Sequence, residues 1–189
     1  MKKIMLTGFE AFAGNASNPT EDLMKELAKS GHQTFTLPVS FSKSWNELEQ
    51  LIQKKRPHWV ISCGVAAKRA SIDLERVAIN FMDASINDND GFLPQELKIY
   101  PDAPDSYLSH LPLNNWKSVL EKDFPVKVSL SAGSYVCNYL YFQLMHHRTR
   151  YQYQCLFVHF PYPQEQLSLS LYKSFIEKLL EIVENSDSE

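Results

Sequence analysis

The chain has 189 residues, 44% of them hydrophobic and 22% charged, and its 22 acidic against 19 basic side chains leave a net charge of -3. That length and balance suit one α/β domain with a sizeable core, and with no basic stripe there is no electrostatic reason to expect nucleic acid as a partner. No apolar run approaches the ~20 residues of a membrane span, and the few apolar residues behind Met1-Lys2-Lys3 are too short for a signal-peptide core, so a cytoplasmic protein with no membrane partner is expected.

Residues 3–7 read as a short apolar strand and 8–18, rich in Gly, Ala and Asn, as a loop. Asn18-Pro19-Thr20-Glu21 opens a helix to about Lys29: Asn18 caps, Pro19 suits the first helical position, and Glu21 reaches back as in a capping box. A strand over 34–39, an amphipathic helix over 42–55 with Trp45, Leu48, Leu51 and Ile52 inward, and a buried strand over 58–63 give a βαβαβ order. Residues 71–81 are strand-like, 83–105 polar and turn-rich, and 113–121 helical. A strand over 126–130, a helix opening near Cys137, a strand over 154–159 and a last helix from about 164 to 183 restore the alternation. Runs as apolar as Trp59-Val60-Ile61 and Leu156-Phe157-Val158 are expected in central strands covered on both faces. The fold expected is a three-layer α/β/α sandwich around a mostly parallel twisted sheet, one domain over 1–189.

Three residues in separate segments carry the chemistry. Cys137 follows the small-residue run Ser131-Ala132-Gly133-Ser134, a tight strand-to-helix turn, and so falls in the first turn of a helix. Free N–H groups and the positive helix end are expected there to lower the thiol pKa and to hold an oxyanion. His159 ends an apolar strand, stiffened by Phe160-Pro161-Tyr162-Pro163, on the rim where ligands of parallel sheets bind; it reads as a base or as a structural histidine. Strand alternation places Asp73, Glu75 and Val77 on one face, where Glu75 would orient an imidazole or pair with Arg76 or Arg69 at the surface. Cys63 and Cys155 lie in apolar strands and read as core. Three cysteines, odd in number and unpatterned, fit a reducing compartment better than disulfides or zinc. No metal or cofactor is implied.

Four segments together resemble the pyroglutamyl peptidase type I (pyrrolidone-carboxylate peptidase) family of cysteine exopeptidases. They are Leu6-Thr7-Gly8-Phe9-Glu10-Ala11-Phe12-Ala13-Gly14 with Asn18-Pro19-Thr20; Glu75-Arg76-Val77-Ala78-Ile79-Asn80; Ser131-Ala132-Gly133-Ser134-Tyr135-Val136-Cys137-Asn138; and Val158-His159-Phe160-Pro161-Tyr162-Pro163-Gln164-Glu165-Gln166. The resemblance implies Cys137 as nucleophile, His159 as base and then acid, Glu75 as orienter, and peptides with an N-terminal pyroglutamate as substrates. It also implies Phe9 and Phe12 as pocket aromatics. Because unpaired lactam groups would cost roughly 1–3 kcal/mol each, backbone near Gly64-Val65 or Asn18 is expected to meet the lactam N–H and C=O.

The chain departs from the family pattern in places. Ala11 and Ala13 replace a proline and a glycine, the stretch after Gln166 is shorter, and Ser85 stands where the family carries an arginine associated with the site. Reduced activity is expected from the last change, unless Arg69 or Lys68 supplies the charge. Two rival readings are a binding protein of the same fold that has lost useful turnover and a thiol amidase acting on a related small amide. Oligomeric state is open, a homo-oligomer included.

Overall fold

The computed structural model describes residues 2–164 and 167–186. Its elements run β1 (Ile4–Phe9), α1 (Pro19–Lys29), β2 (Gln33–Leu37), α2 (Lys43–Lys55), β3 (Trp59–Val65), β4 (Ile72–Glu75), β5 (Val77–Ile79), β6 (Ser106–Leu108), α3 (Leu113–Leu120), β7 (Val126–Ser129), α4 (Val136–Tyr151), β8 (Gln154–Phe160) and α5 (Leu169–Asn185). Six strands form one sheet in the order β2-β1-β3-β8-β4-β7, and β5 pairs with β6 in a second. Within the large sheet every neighbouring pair is parallel except β4 with β8, so β4 and β7 run against the other four strands.

Alternation along the strands divides the core in two. Leu6, Ile61, Cys63, Leu74, Leu156 and Val158 point to one side, where α1, α3 and α5 cover them. Met5, Phe9, Val60, Cys155 and Phe157 point to the other, under α2 and α4. Helices on both faces of a mostly parallel sheet make the three layers the apolar strands implied.

The structure differs from the sequence reading in three local ways. The stretch 71–81 breaks at Arg76, whose N–H donates to Ser129 O while its C=O accepts from Ser109 N, both at 2.8 Å; the two halves therefore join different sheets. Asn18 does cap α1, its Oδ1 accepting from Thr20 N at 2.9 Å, but Glu21 turns outward to Lys25 at 2.8 Å and closes no capping box. α5 starts at Leu169, where the Ser168 hydroxyl accepts from Leu171 N; Glu165 and Gln166, quoted in the resemblance, lie outside the described residues. Among the described residues no helix is long and apolar enough to cross a membrane.

Candidate active site

The C-terminal ends of β1 and β3 separate. Their ladder stops at Thr7↔Ser62, while β1 continues along β2 to Leu37 and β3 continues along β8 to Phe160. α1 and α2 pack on opposite faces there, which makes this the point where the winding direction reverses, the usual ligand position in such sheets. Beside it His159, 3% exposed, pairs with Gly64 across the β3–β8 ladder.

Glu75 reaches this rim because β4 is reversed. The antiparallel register sets Asp73 opposite His159, which puts Glu75 one row deeper on the same face. From there its Oε1 accepts from His159 Nδ1 at 2.7 Å, with Glu75 wholly buried. A carboxylate on Nδ1 leaves the other ring nitrogen as the basic one. The surface-pair reading of Glu75 is also half right: Arg69 Nη1 lies 2.5 Å from the same Oε1, in an ion pair that is buried on the carboxylate side.

Cys137 is the second residue of α4, behind a turn in which Gly133 takes φ +82°. Its Sγ is packed against β3, since a Cβ on Gly64 would lie 2.8 Å from it. Only glycine lets the sulfur sit this close to the strand that flanks His159. The helix is fixed by its own next turn: Asn138 donates to Ile79 O and Phe81 O and accepts from Ile79 N, and Tyr141 OH donates to Glu75 O at 2.9 Å. Thus the helix that carries the sulfur also grips the strand that carries the carboxylate.

α4 has no side-chain N-cap, whereas Asn18 and Ser168 cap α1 and α5. The amides of Val136, Cys137 and Asn138 accordingly find no acceptor among the described residues outside Cys137 itself. They form a donor cluster suited to a developing oxyanion. The expected depression of the thiol pKa, however, is not found. Burial pushes Cys137 up to about 12, the Glu75 charge adds to that, and Arg69 opposes it; desolvation outweighs the helix end. Cys63 and Cys155 are buried in the core, with thiols likewise raised by burial.

A family model described as pyroglutamyl peptidase matches residues 2–176. The chain belongs to the pyroglutamyl peptidase family. It is 37% identical over 175 residues to a pyrrolidone-carboxylate peptidase of Thermococcus litoralis, covering 88% of this chain and 80% of that protein. To one from Oceanobacillus iheyensis it is 36% identical, covering 96% and 94%. Among solved structures, the pyroglutamyl peptidase I of Bacillus amyloliquefaciens superposes with a TM-score of 0.88 at 32% identity over 94% of each chain. The pyrrolidone carboxyl peptidase of Fervidobacterium islandicum gives 0.90 at 31%, over 97% and 99%.

The remaining residues singled out from sequence fall into distinct places on this pyroglutamyl peptidase fold. Phe12 is half-buried and faces Tyr135, the residue that opens α4, with ring centroids 6.2 Å apart. Phe9 is 2% exposed and packed as core. Asn18 is engaged in the loop itself, with Oδ1 on Thr20 and Nδ2 donating to Glu10 O. Val65 ends β3 half-buried, and by alternation with Ile61 and Cys63 its side chain lies on the α1 and α5 face, away from Cys137 and His159. Ser85 is exposed in a segment tied to the Cys137 turn, where Ser134 Oγ donates to Asp83 O at 2.6 Å and Tyr135 OH to Asn87 O at 2.9 Å. Ala13 holds φ +53° where the family has a glycine, a left-handed conformation that costs an alanine roughly 1–2 kcal/mol. Sequence reasoning missed Asn138 and Tyr141, which sit in a run that reads only as an apolar helix.

Proposed function

We propose that the chain is a single-domain cysteine exopeptidase that removes an N-terminal pyroglutamyl residue from peptides, with Cys137, His159 and Glu75 as its triad. The observation that carries this is the buried Glu75–His159 hydrogen bond beside a helix-start cysteine seated on Gly64. The relatives' names supply the acyl group. Free Cys63, Cys137 and Cys155 suit the cytoplasm.

With its pKa near 12 the resting thiol is neutral. His159 takes the thiol proton as sulfur attacks the pyroglutamyl carbonyl; the imidazolium then neutralises the Glu75 charge that opposed the thiolate, so the two protonations are coupled. The first-turn amides of α4 receive the oxyanion. His159 returns its proton to the departing peptide amine as the C–N bond breaks, leaving a thioester. Water, deprotonated by His159, attacks that thioester, and the proton ends on sulfur as pyroglutamate leaves. Phe12 and Tyr135 would border the lactam, with the open edge of β3 past Ser62, Val65 included, offering backbone partners. Asn18 acts through the shape of its loop.

Pyroglutamyl anilide is the test substrate. Anilide release that disappears in Cys137→Ala is expected, whereas binding without release would favour the binding-protein reading, and release from another acyl group in its place would favour the amidase.

A further inference from the structure

We propose that Arg69 is a positioning residue of this active site: one guanidinium fork holds the orienting carboxylate and the turn that presents the nucleophile in a single register. The proposal rests on the Cys137–His159–Glu75 reading above. Nη1 lies 2.5 Å from Asp73 Oδ2 and 2.5 Å from Glu75 Oε1, and Nη2 donates to Ser131 O at 2.6 Å. Ser131 opens the small-residue turn before Cys137. The side chain thus spans the segment after β3, the strand β4 and the approach to α4. All three contacts are consumed internally, so Arg69 is not the free cation that would replace the arginine absent at position 85.

The electrostatics give this fork a purpose beyond packing. Asp73 and Glu75 are 1% and 0% exposed, on the same face of one strand, and two buried carboxylates so close do not both ionise without a cation. Glu75 is faced by His159 from β8, by Cys137 and Tyr141 from α4, by Asp73 from its own strand and by Arg69; Lys127 of β7 stands 3.8 Å from Asp73, and Ser71 Oγ also donates to it. Arg69 is the cation in direct contact with Glu75 apart from the histidine it serves. Glu75 Oε2 is buried with no partner among the described residues, so the position of the carboxylate depends on the two bonds to Oε1. Without Arg69 the two buried carboxylates keep only His159 and the more distant Lys127 as counter-charges, which disfavours the Glu75 charge that stabilises the imidazolium accompanying the thiolate.

The test compares Arg69→Met, Arg69→Lys, Asp73→Asn and the double variant R69M/D73N on pyroglutamyl anilide, with Glu75→Gln as control. Arg69→Met is expected to lower kcat on the order of 10²-fold with KM within about twofold. Its loss should be greatest at low pH and partly recovered as pH rises and Glu75 ionises, which moves the acid limb of kcat upward. Arg69→Lys keeps the charge but not the fork, and should show a smaller loss with the wild-type acid limb. Adding Asp73→Asn to Arg69→Met should restore part of kcat, because the competing buried charge is gone. Wild-type kcat in both Arg69 variants overturns the proposal, as does a fall with an unmoved acid limb and no recovery in the double variant. If Arg69→Met fails to fold, the kcat and pH profile of Arg69→Lys and Asp73→Asn decide: a wild-type kcat in Arg69→Lys overturns it. A fully active Glu75→Gln sinks the triad reading itself, and so separates that failure from this one.

Discussion

Gly8 and Gly64 lie at the same edge of the sheet and face opposite ways, and the contrast separates what holds this fold from what makes it reactive. A Cβ on Gly8 would meet the backbone of Thr20 at 2.5 Å, so that glycine lets α1 lie against β1 over the apolar face. A Cβ on Gly64 would meet Cys137 Sγ at 2.8 Å and the Phe157 ring at 3.0 Å, so that glycine lets the Cys137 sulfur lie against the sheet. The α1 side is hydrocarbon along the strands. The α2 and α4 side is hydrocarbon at its base but carries Thr7, Ser62, Asp73, Glu75 and His159 toward the rim, all buried and each hydrogen-bonded, Thr7 to Ser62 and the others through Arg69 and Glu75. One face is built to be dry, the other to keep charge in place.

The sharpest way to break the contrast is to remove charge from the reactive face. Glu75→Gln is expected to lower kcat on the order of 10³–10⁴-fold while substrate binding is retained, and Glu75→Asp less; steady-state kinetics that leave both at wild-type rates would make Glu75 a structural carboxylate. Next in size, Gly64→Ala should cost on the order of 10²-fold in kcat by displacing the sulfur from its seat. Ser85→Arg bears on the same face from outside. Position 85 is exposed on a segment tied to the Cys137 turn, so an arginine there is expected to raise kcat by about tenfold, a fraction of what one oxyanion donor is worth; an unchanged rate would show that the α4 amides suffice. The smallest change in activity belongs to the dry face. Gly8→Ala should lower stability by about 1–3 kcal/mol in urea unfolding and leave the kcat of the folded fraction unchanged.

The sequence made the reactive face legible where local signals are strong. The small-residue run 131–134 marked the turn, the apolar run 156–158 marked the central strand, and Asn18-Pro19 marked the start of α1. It did not reveal that β4 is reversed, because a period of two is the same in either direction, and that reversal is what sets Glu75 beneath His159. The break at Arg76 was hidden likewise, since Glu75 and Val77 keep alternating while the backbone changes partners. The thiol pKa was misjudged because a helix-start argument counts dipoles and free amides, whereas burial and a carboxylate from a distant strand outweigh them. Arg69 was visible as a rival for Glu75; only the fold shows that carboxylate accepting from Arg69 and His159 together.

The central claim is that Cys137 becomes a thiolate only together with protonation of His159, and the rate of iodoacetamide labelling against pH tests it most directly. Burial and the Glu75 charge hold the Cys137 thiol well above its usual pKa, so the sulfur reacts near neutral pH only by passing its proton to His159. Wild-type protein is therefore expected to label at Cys137 near neutral pH ahead of Cys63 and Cys155. In His159→Gln the rate should fall by more than about 10²-fold at pH 7 and then climb about tenfold per pH unit toward 12, because a raised thiol pKa releases its proton only as pH rises. Labelling of His159→Gln at the wild-type rate at pH 7 would show instead that the helix start alone holds the thiolate, and would contradict the coupled triad.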